Sequence, residues 1–449
     1  MRPVDRQTLH ELQLESRSGK EKSILNFFDH TKSEGGREIL KKLLNTPKKS
    51  IEEINAFQSL LKFISRCSDL WTLNFPRVYI AASENYYSSN IAYSMSQDVF
   101  QHYWDTFIFS WRNPAEFYMI RSGLVATLKM VRCMHEFTSR FDNVEIPEAA
   151  SEDFDFLRNF LHSSAIRSFL KTEDHKLTRR HVFYQDYYFR ISYKKSFRRV
   201  LDIFYTFDAY LSIALTQQQN GLSFPVFTES KSIFEADELW HPLVLNPVPN
   251  IFELNKETFL CLISGANTSG KTTFLKACGI SIYLAHLGWP VPAVKLQLSW
   301  FDELFTSVHL SDNLDLGYSH FYNEIMRIKI IAEALNSGTK CMVIIDELFR
   351  GTNLEDAYAC SRLVINGFLN YPGSVFLVST HLYELLESFN AENNISFRCF
   401  RTVLTENDFE NTYQIEAGIA SEKIGQLILN KSGIPGLLHT NITDQKTLE

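Results

Sequence analysis

The chain has 449 residues, a length that accommodates about two to four domains of ordinary size. Apolar residues make up 45% of it and charged residues 22%, which excludes a wholly disordered protein. The net charge of −7 excludes a polybasic nucleic-acid coat, yet the charge is divided unevenly along the chain. Residues 1–250 carry 31 basic and 30 acidic side chains, whereas residues 251–449 carry 14 and 22. The composition leaves the function open.

Secretory and membrane proteins are the next classes to be disfavoured. Residues 1–20 are polar and lack the apolar stretch of a signal peptide, and no apolar run is long enough to cross a membrane. The seven cysteines are scattered and form no C-x-x-C pair, which disfavours a zinc site or a disulfide framework. These features predict a cytoplasmic protein with free thiols and no membrane partner.

Apolar residues recur at helical spacing through most of the first 220 residues. This periodicity predicts a mostly helical region, and it includes a long helical stretch that is rich in aromatic residues. The predicted helices span residues 23–28, 39–44, 51–64, 100–137 and 198–214.

The pattern changes near residue 240. Short apolar runs at 260–264, 342–345 and 375–379 are each bounded by turn or polar residues and followed by a helical pattern. Continuous apolar runs of this length are typical of parallel strands that are buried on both faces of a sheet. The sequence therefore predicts a helical domain over residues 1–232 and an α/β domain over residues 233–449.

Segment 265–272 fits the phosphate-loop pattern G-x-x-x-x-G-K-[ST], and it lies between a predicted strand and a predicted helix at 273–287. Its glycines allow backbone N–H groups to curl around phosphate oxygens. We predict that Lys271 reaches the β- and γ-phosphates of ATP and that the Thr272 hydroxyl ligates Mg²⁺. The residues predicted to hold the nucleotide are Gly265, Ala266, Asn267, Thr268, Ser269, Gly270, Lys271, Thr272 and Thr273.

Two further strands end in residues that suit phosphoryl transfer. Asp346 and Glu347 follow the second strand, and we predict that Asp346 holds Mg²⁺ while Glu347 orients or activates the attacking water. His381 follows the third strand and is predicted to contact the region of the γ-phosphate. A solvated strand end is the alternative for the two acids, and a structural role is the alternative for His381.

These segments resemble motifs of the MutS family, the ATPases known from DNA mismatch repair. Segments 346–353 and 379–385 resemble its D-E-x-G-R-G-T-[ST] and T-H-Y-x-E-L motifs, and segment 317–324 resembles its G-x-S-T-F-M-x-E signature. Weaker similarity upstream covers residues 4–12, 36–40 and 208–214. The resemblance implies a mostly helical core and lever domain, followed by a P-loop α/β ATPase domain of ABC type.

The resemblance also implies a nucleotide-gated homodimer that is joined through its ATPase domains. In such a dimer Ser319 reaches the partner's γ-phosphate, Asp356 lies at the same interface, and Asn250 belongs to the nucleotide site. The chain departs from the family in having Phe349 at a glycine position and Pro247 where an aromatic residue often stacks on adenine. It begins where the family's helical core begins, so we expect no mismatch-reading domain and a reduced DNA clamp.

A basic and aromatic segment between residues 176 and 199 is the predicted DNA contact. Basic side chains neutralise phosphates without reading the sequence, and exposed aromatic rings stack on unpaired bases. The alternative is a solvated helix face whose aromatic rings lie in the core. The predicted contacts are Lys176, Arg179, Arg180, Arg190, Lys194, Lys195, Arg198 and Arg199.

Two hypotheses on function follow, and both require ATP and Mg²⁺. The first is an ATP-hydrolysing DNA-binding protein of MutS type that senses mismatched or other non-standard DNA structures in repair or recombination. The second is a dimerising P-loop ATPase that acts on a protein or ribosomal partner. Stimulation of ATP hydrolysis by DNA would discriminate between them.

Overall fold

The computed structural model describes residues 1–16, 21–73, 75–88, 99–171, 177–228, 232–308, 320–404, 409–420, 432–434 and 437–438. The chain forms two compact units. The sheet unit comprises Met1–Phe27, Asn45–Ile51 and Asn220–Glu449, and the helical unit comprises Phe28–Leu44 and Glu52–Gln219. Residues 1–27 therefore group with the C-terminal half in space, whereas the sequence analysis assigned them to the helical domain.

Up to residue 220 the described chain is built from helices. These are α1 (Arg6–Glu11), α2 (Ile24–Phe28), α3 (Glu34–Leu44), α4 (Ile51–Arg66), α5 (Ser68–Trp71), α6 (Arg77–Ser88), α7 (Val99–Arg112), α8 (Pro114–Ser139), α9 (Glu148–Leu161), α10 (Ser164–Leu170), α11 (Arg179–Tyr187) and α12 (Lys194–Asn220). A π-helical turn over Tyr188–Ser192 joins α11 to α12.

The helices predicted at 23–28, 39–44, 51–64 and 198–214 are confirmed as α2, α3, α4 and α12. The stretch 100–137 differs from the prediction, because it forms α7 and α8 with a break at Asn113. A proline disfavours the α conformation of the residue before it. Asn113 accordingly leaves the helix with φ −127° and ψ 63°, and Pro114 begins the next one.

Aromatic rings fill the core of the helical unit. The buried Trp71 ring lies 5.6, 5.5, 5.8 and 5.0 Å, centroid to centroid, from the rings of Phe137, Phe141, Phe154 and Phe207. Most of these pairs are edge-on or tilted, an arrangement that adds a favourable quadrupole contact to the burial of apolar area. Several of the 36 phenylalanines in the chain therefore serve packing.

One buried carboxylate ties the start of α3 to α12. Asp208 accepts hydrogen bonds from the backbone N–H of Lys32 (3.0 Å) and of Ser33 (2.9 Å) and from the Ser33 hydroxyl (2.6 Å). A carboxylate is tolerated inside a protein when its oxygens are hydrogen-bonded in this way. Asp208 thus holds the helical unit together within its interior.

Strands and helices alternate in the described chain after residue 225. The elements are β1 (Val226–Phe227), β2 (Ser232–Leu239), β3 (Asn250–Asn255), β4 (Leu260–Gly265), α13 (Lys271–Leu287), β5 (Lys295–Leu298), β6 (Glu303–Ser307), α14 (His320–Asn336), β7 (Cys341–Asp346), α15 (Leu354–Phe368), β8 (Val375–Ser379), α16 (Tyr383–Ser388), β9 (Ile395–Leu404) and β10 (Phe409–Ala417). The three predicted strands are confirmed as β4, β7 and β8, and so is the predicted fold class.

The described strands form two sheets. The smaller has the order β1-β5-β2-β3 and the larger β10-β9-β4-β8-β7-β6. In the larger sheet β10 is antiparallel to β9, and every other neighbouring pair is parallel. Ser379 on β8 lies opposite Ile263 on β4 and Asp346 on β7. The carboxyl ends of three neighbouring strands therefore meet at one edge, the usual location of a ligand site in such a sheet.

Buried charges fasten the N-terminal segment to the larger sheet. The Arg327 guanidinium on α14 donates to the Asp5 carboxylate (2.8 Å), the Thr8 hydroxyl (2.9 Å) and the Thr306 carbonyl (2.8 Å). Glu11 on α1 accepts a hydrogen bond of 2.5 Å from the Thr306 hydroxyl. Arg327 and Glu11 are both buried, so each depends on these partners in place of water.

The cysteines all lie in the described part of the chain and are free thiols. Burial raises the pKa of Cys261 to about 12, so this thiol stays protonated at neutral pH. Within the described residues, no helix combines the length and the apolarity that crossing a membrane requires.

Candidate functional site

The phosphate-loop segment leaves β4 and turns directly into α13. Gly265 has a φ of 139°, and a Cβ at this position would lie 2.8 Å from the backbone oxygen of Phe400. Gly270, the residue before α13, has a φ of 105°. Both conformations are unfavourable for any residue that carries a Cβ, so the backbone requires the two motif glycines. Between them, Asn267 and Thr268 are exposed on the outside of the loop.

Lys271 folds back over the loop from the first turn of α13. Its Nζ donates hydrogen bonds to the carbonyl oxygens of Gly265 (2.6 Å) and Ala266 (2.8 Å), and only 3% of the residue is exposed. Burial lowers the pKa of Lys271, while the charges of Glu347 and Asp346 act in the opposite direction. The structure thus brings the predicted phosphate-binding lysine and both predicted acids within electrostatic range of one another.

Thr272 and Asp346 meet at the edge of the sheet. The Thr272 hydroxyl donates a hydrogen bond of 2.5 Å to Oδ2 of Asp346, and the Ser379 hydroxyl donates to Oδ1. The two residues predicted to ligate Mg²⁺ are therefore in direct contact. Ser379 had no predicted role, although its place at the end of β8, beside β7, is the signal that could have indicated one.

Glu347 lies one residue beyond β7, with its side chain only 11% exposed. Its backbone N–H donates to the hydroxyl of Ser379 at 3.1 Å. One carboxylate oxygen lies 3.3 Å from the Arg350 guanidinium, and the other lies 3.9 Å from Nδ1 of His381. The His381 ring is about half exposed, so the three side chains form an open cluster beside the loop.

A cavity of about 440 Å³ opens on the other side of the phosphate loop. Pro247, Asn250, Thr268 and Tyr413 contribute to its wall. The Asn250 amide donates to the carbonyl of Tyr413 (3.1 Å) and accepts from the N–H of Ile415 (2.7 Å). Asn250, predicted to be a nucleotide contact, thus shapes the cavity by joining β3 to β10.

Strand β10 contributes two residues that the sequence analysis missed. The Asn411 amide donates to the carbonyl oxygen of Thr268 at 3.2 Å, and the half-exposed Tyr413 ring faces the cavity. These residues lie more than 140 positions from the loop, as the separation of 143 between Asn411 and Thr268 shows. No motif marks them, because only the pairing of strands brings β10 to the loop.

Two other predicted site residues are described by the structure, and a third is not. Thr273 is exposed on the first turn of α13, and Asp356 is exposed on the first turn of α15. The Asp356 N–H donates to the Asn353 side chain, which caps that helix. Ser319 lies outside the described residues.

The predicted DNA-binding residues fall into three groups. Lys176 lies outside the described residues. Arg190 forms an ion pair of 2.6 Å with Asp186 and is only 11% exposed, so its charge is already matched inside the helical unit. The remaining six, which are exposed on α11 and α12, are Arg179, Arg180, Lys194, Lys195, Arg198 and Arg199. Arg190 therefore differs from these six, of which Arg199 lies 2.6 Å from the exposed Glu152 carboxylate, and the DNA contacts stay a prediction.

The aromatic residues of the same segment divide by type. Phe183, Phe189 and Phe197 are fully buried, whereas Tyr184 is 50% and Tyr187 37% exposed. The core alternative thus applies to the three phenylalanines. The two tyrosines remain accessible beside the six cations.

The parallel sheet, the glycine loop before α13 and the acids that follow β7 define an α/β domain of the P-loop class. Residues 261–448 match the family model described as MutS domain V. This match assigns residues 261–448, the C-terminal part of the chain, to MutS domain V.

Curated relatives support the same assignment. The chain is 33% identical over 202 residues to the "DNA mismatch repair protein MutS" of Borrelia garinii subsp. bavariensis, a match that covers 43% of this chain and 23% of that protein. It is 29% identical over 235 residues to the protein of the same name from Streptococcus sanguinis, covering 51% of this chain and 27% of the relative. The matched regions thus span about a quarter of the length of these relatives.

Proposed function

We propose that the chain is an ATP-hydrolysing, DNA-binding protein of MutS type that works as a nucleotide-gated homodimer. The observation that carries the proposal is the contact of 2.5 Å between the Thr272 hydroxyl and the Asp346 carboxylate. It joins the phosphate loop to the acid at the end of the neighbouring strands. Phosphoryl transfer to water requires a phosphate cradle and an acid site of this kind side by side.

The residues present fit both Mg²⁺ and the triphosphate of ATP. Thr272 and Asp346 offer hydroxyl and carboxylate oxygens, the donors that Mg²⁺ prefers. Lys271 holds its ammonium on the loop carbonyls of Gly265 and Ala266, where it is available for phosphate oxygens. Bound Mg²⁺ would neutralise charge on the phosphates as the bond to the leaving group breaks.

The chain's own residues then account for the hydrolytic step. We propose that the Glu347 carboxylate holds a water molecule in line and accepts its proton. The Arg350 guanidinium lies 3.3 Å from that carboxylate and the His381 ring lies 3.9 Å from it, so we propose that both side chains act beside it. Lys271 adds positive charge at the phosphates, where negative charge develops in the transition state.

Binding of DNA rests on the helical unit and on relatedness. The six exposed cations of α11 and α12 supply the sequence-independent attraction that a phosphate backbone needs. The relatives are named as DNA mismatch repair proteins. We infer that the chain recognises DNA structure rather than sequence, with dimerisation through the sheet unit as the family resemblance implies.

The direct test replaces Glu347 with glutamine, which keeps the shape of the side chain and removes its basicity. We expect phosphate release to fall by about 10²-fold or more, while binding of a fluorescent ATP analogue persists. Glu392→Gln, at an exposed acid of the same unit, is the matched control and should hydrolyse ATP normally. Undiminished hydrolysis in Glu347→Gln would remove Glu347 from the mechanism.

The DNA part of the proposal is tested separately. ATP hydrolysis and DNA binding are measured with plain, mismatched and branched duplexes over a range of salt concentrations. Stimulated hydrolysis and affinity that weakens with salt support the proposal. Normal hydrolysis without any DNA binding at low salt would favour a protein or ribosomal partner instead.

A further inference from the structure

The chain bends sharply after β7 in a conformation that non-glycine residues rarely adopt. Glu347 has a φ of 59° and Phe349 a φ of 58°. A Cβ in this left-handed region crowds the backbone, and most of all when the side chain is bulky. Such a conformation persists only where the surroundings hold it, and it is often found at functional sites.

The Phe349 side chain packs in a way that stabilises this bend. It is 3% exposed, and its ring lies 5.7 Å from the ring of Phe321, at an interplanar angle of 62°. Phe321 belongs to the first turn of α14, so the contact joins the loop after β7 to a neighbouring helix. Leu348 is buried as well, which encloses the base of the bend in apolar surroundings.

Glu347 is thereby held at both of its ends. Its own N–H is bound to Ser379 at the end of β8, and two residues later the chain is anchored by Phe349. Between these two points the backbone of Glu347 is held, and its carboxylate, on a side chain only 11% exposed, lies 3.3 Å from Arg350. A short strained bend with fixed ends restricts the positions that the carboxylate can occupy.

We infer that Phe349 is a positioning residue for hydrolysis: its packing on Phe321 fixes the bend that aims the Glu347 carboxylate. The inference rests on the proposed function, because it concerns the efficiency of the same site. It is particular to this chain, since the family motif has glycine at this position. Glycine would adopt the observed φ without strain, but it would leave the bend without an anchor.

The test compares Phe349→Gly with Phe349→Leu. Glycine relieves the backbone strain and removes the anchor, and we expect kcat to fall about 10-fold or more while the Kd for ATP changes less than about twofold. Leucine keeps an apolar anchor in the same pocket, and we expect it to retain kcat within about threefold. Both quantities are measured together with the melting temperature of each variant.

Phe368→Leu is the control for lost aromatic packing. Phe368 is 3% exposed and stacks on Phe376 at 4.3 Å, within the same unit and away from the bend. We expect it to lower the melting temperature and leave kcat unchanged. If Phe349→Gly lost only stability, as Phe368→Leu does, or if glycine raised kcat, the positioning role would be overturned. The proposed hydrolysis would stand in either case, because it depends on the separate outcome for Glu347→Gln.

Discussion

The candidate site at the sheet edge and the interior of the helical unit enclose charges in different ways. In the sheet unit, Lys271, Asp346 and Glu347 gather at one edge of a parallel sheet, and Thr272, which binds Asp346, lines a cavity. In the helical unit, Asp186 and Asp208 are bound by neighbouring side chains and backbone groups of the same unit. Burial of a charge therefore points to chemistry only where a ligand can reach the charge. Elsewhere the charge serves the fold.

Lys271→Ala offers the sharpest separation of activity from stability. We expect hydrolysis to fall by about 10²–10³-fold, since a positive charge at the developing phosphate charge is lost. Stability should change little, because the substitution also removes the cost of burying an ammonium group. Phosphate release and thermal unfolding are measured on the same preparation.

An exposed lysine of the sheet unit provides the comparison for this variant. Lys340→Ala, directly before β7 at the opposite end of that strand, should leave both hydrolysis and melting temperature unchanged. A Lys271→Ala protein that hydrolyses ATP but unfolds early would show that the two units use their buried charges alike.

Arg190→Ala should have the reverse effect. It leaves Asp186, which is 1% exposed, without its cation, and breaking a buried pair from one side costs about 3–5 kcal/mol. We expect a large drop in the free energy of unfolding, measured with urea. Arg198→Ala, at an exposed cation of the same segment, is the control and should change that free energy by less than about 0.5 kcal/mol. Equal effects of the two variants would contradict the assignment of Arg190 to the core.

Acid should act on the two units in opposite directions. Burial lowers the pKa of His286 from 6.5 to about 3, and it lowers that of His241 to about 4, where the charge of Lys276 adds to the effect. Below 6.5 the unfolded chain binds protons that the folded sheet unit does not, so its stability falls as the pH falls. Burial raises the pKa of Asp186 and Asp208, so protonation on acidification favours the folded helical unit.

Hydrogen exchange of the full chain, read by peptide at about pH 7.5 and about pH 5, measures the acid response of the sheet unit, and a further reading toward the ordinary aspartate pKa measures that of the helical unit. Each histidine contributes up to about 1.4 kcal/mol per pH unit within its window. His286 is fixed as neutral, because its Nε2 accepts from the Phe301 N–H at 3.1 Å and its Nδ1 lies 2.8 Å from the Ile282 carbonyl. His286→Gln should flatten the acid slope of the sheet unit. An unchanged slope would remove His286 from the explanation.

The sheet unit was largely predictable because its chemistry is local in sequence. Apolar runs predicted the strands β4, β7 and β8, and the polar residues that follow these runs predicted the candidate site. The contribution of β10 was not predictable, because Asn411 reaches the loop only through the register of strands. Sequence motifs specify the residues that follow a strand end along the chain. They do not specify the residues that strand pairing brings beside it.

In the helical unit the positions of the helices could be predicted from the sequence, but the exposure of individual side chains could not. Helical periodicity identified α3, α4 and α12, but it missed the break that Pro114 imposes. Arg190 was predicted to contact DNA because segment 176–199 contains many basic residues. Its spacing of four residues from Asp186 was the overlooked signal of an ion pair on one face of a helix. Which aromatic rings are exposed was not readable, because phenylalanine and tyrosine share the same spacing in segment 176–199.

The contact between Arg327 and the N-terminal segment bears on how the molecule can be divided. A fragment that starts after the helical unit would contain the phosphate loop, but it would lack the Asp5 and Thr8 partners of a buried guanidinium. Glu11, which binds the Thr306 hydroxyl, would be missing from the same interior. The sheet unit is thus discontinuous along the chain, and a single cut cannot separate all of it from the helical unit. Any dissection of this protein has to keep residues 1–27 together with β6 and α14, to which they are bound.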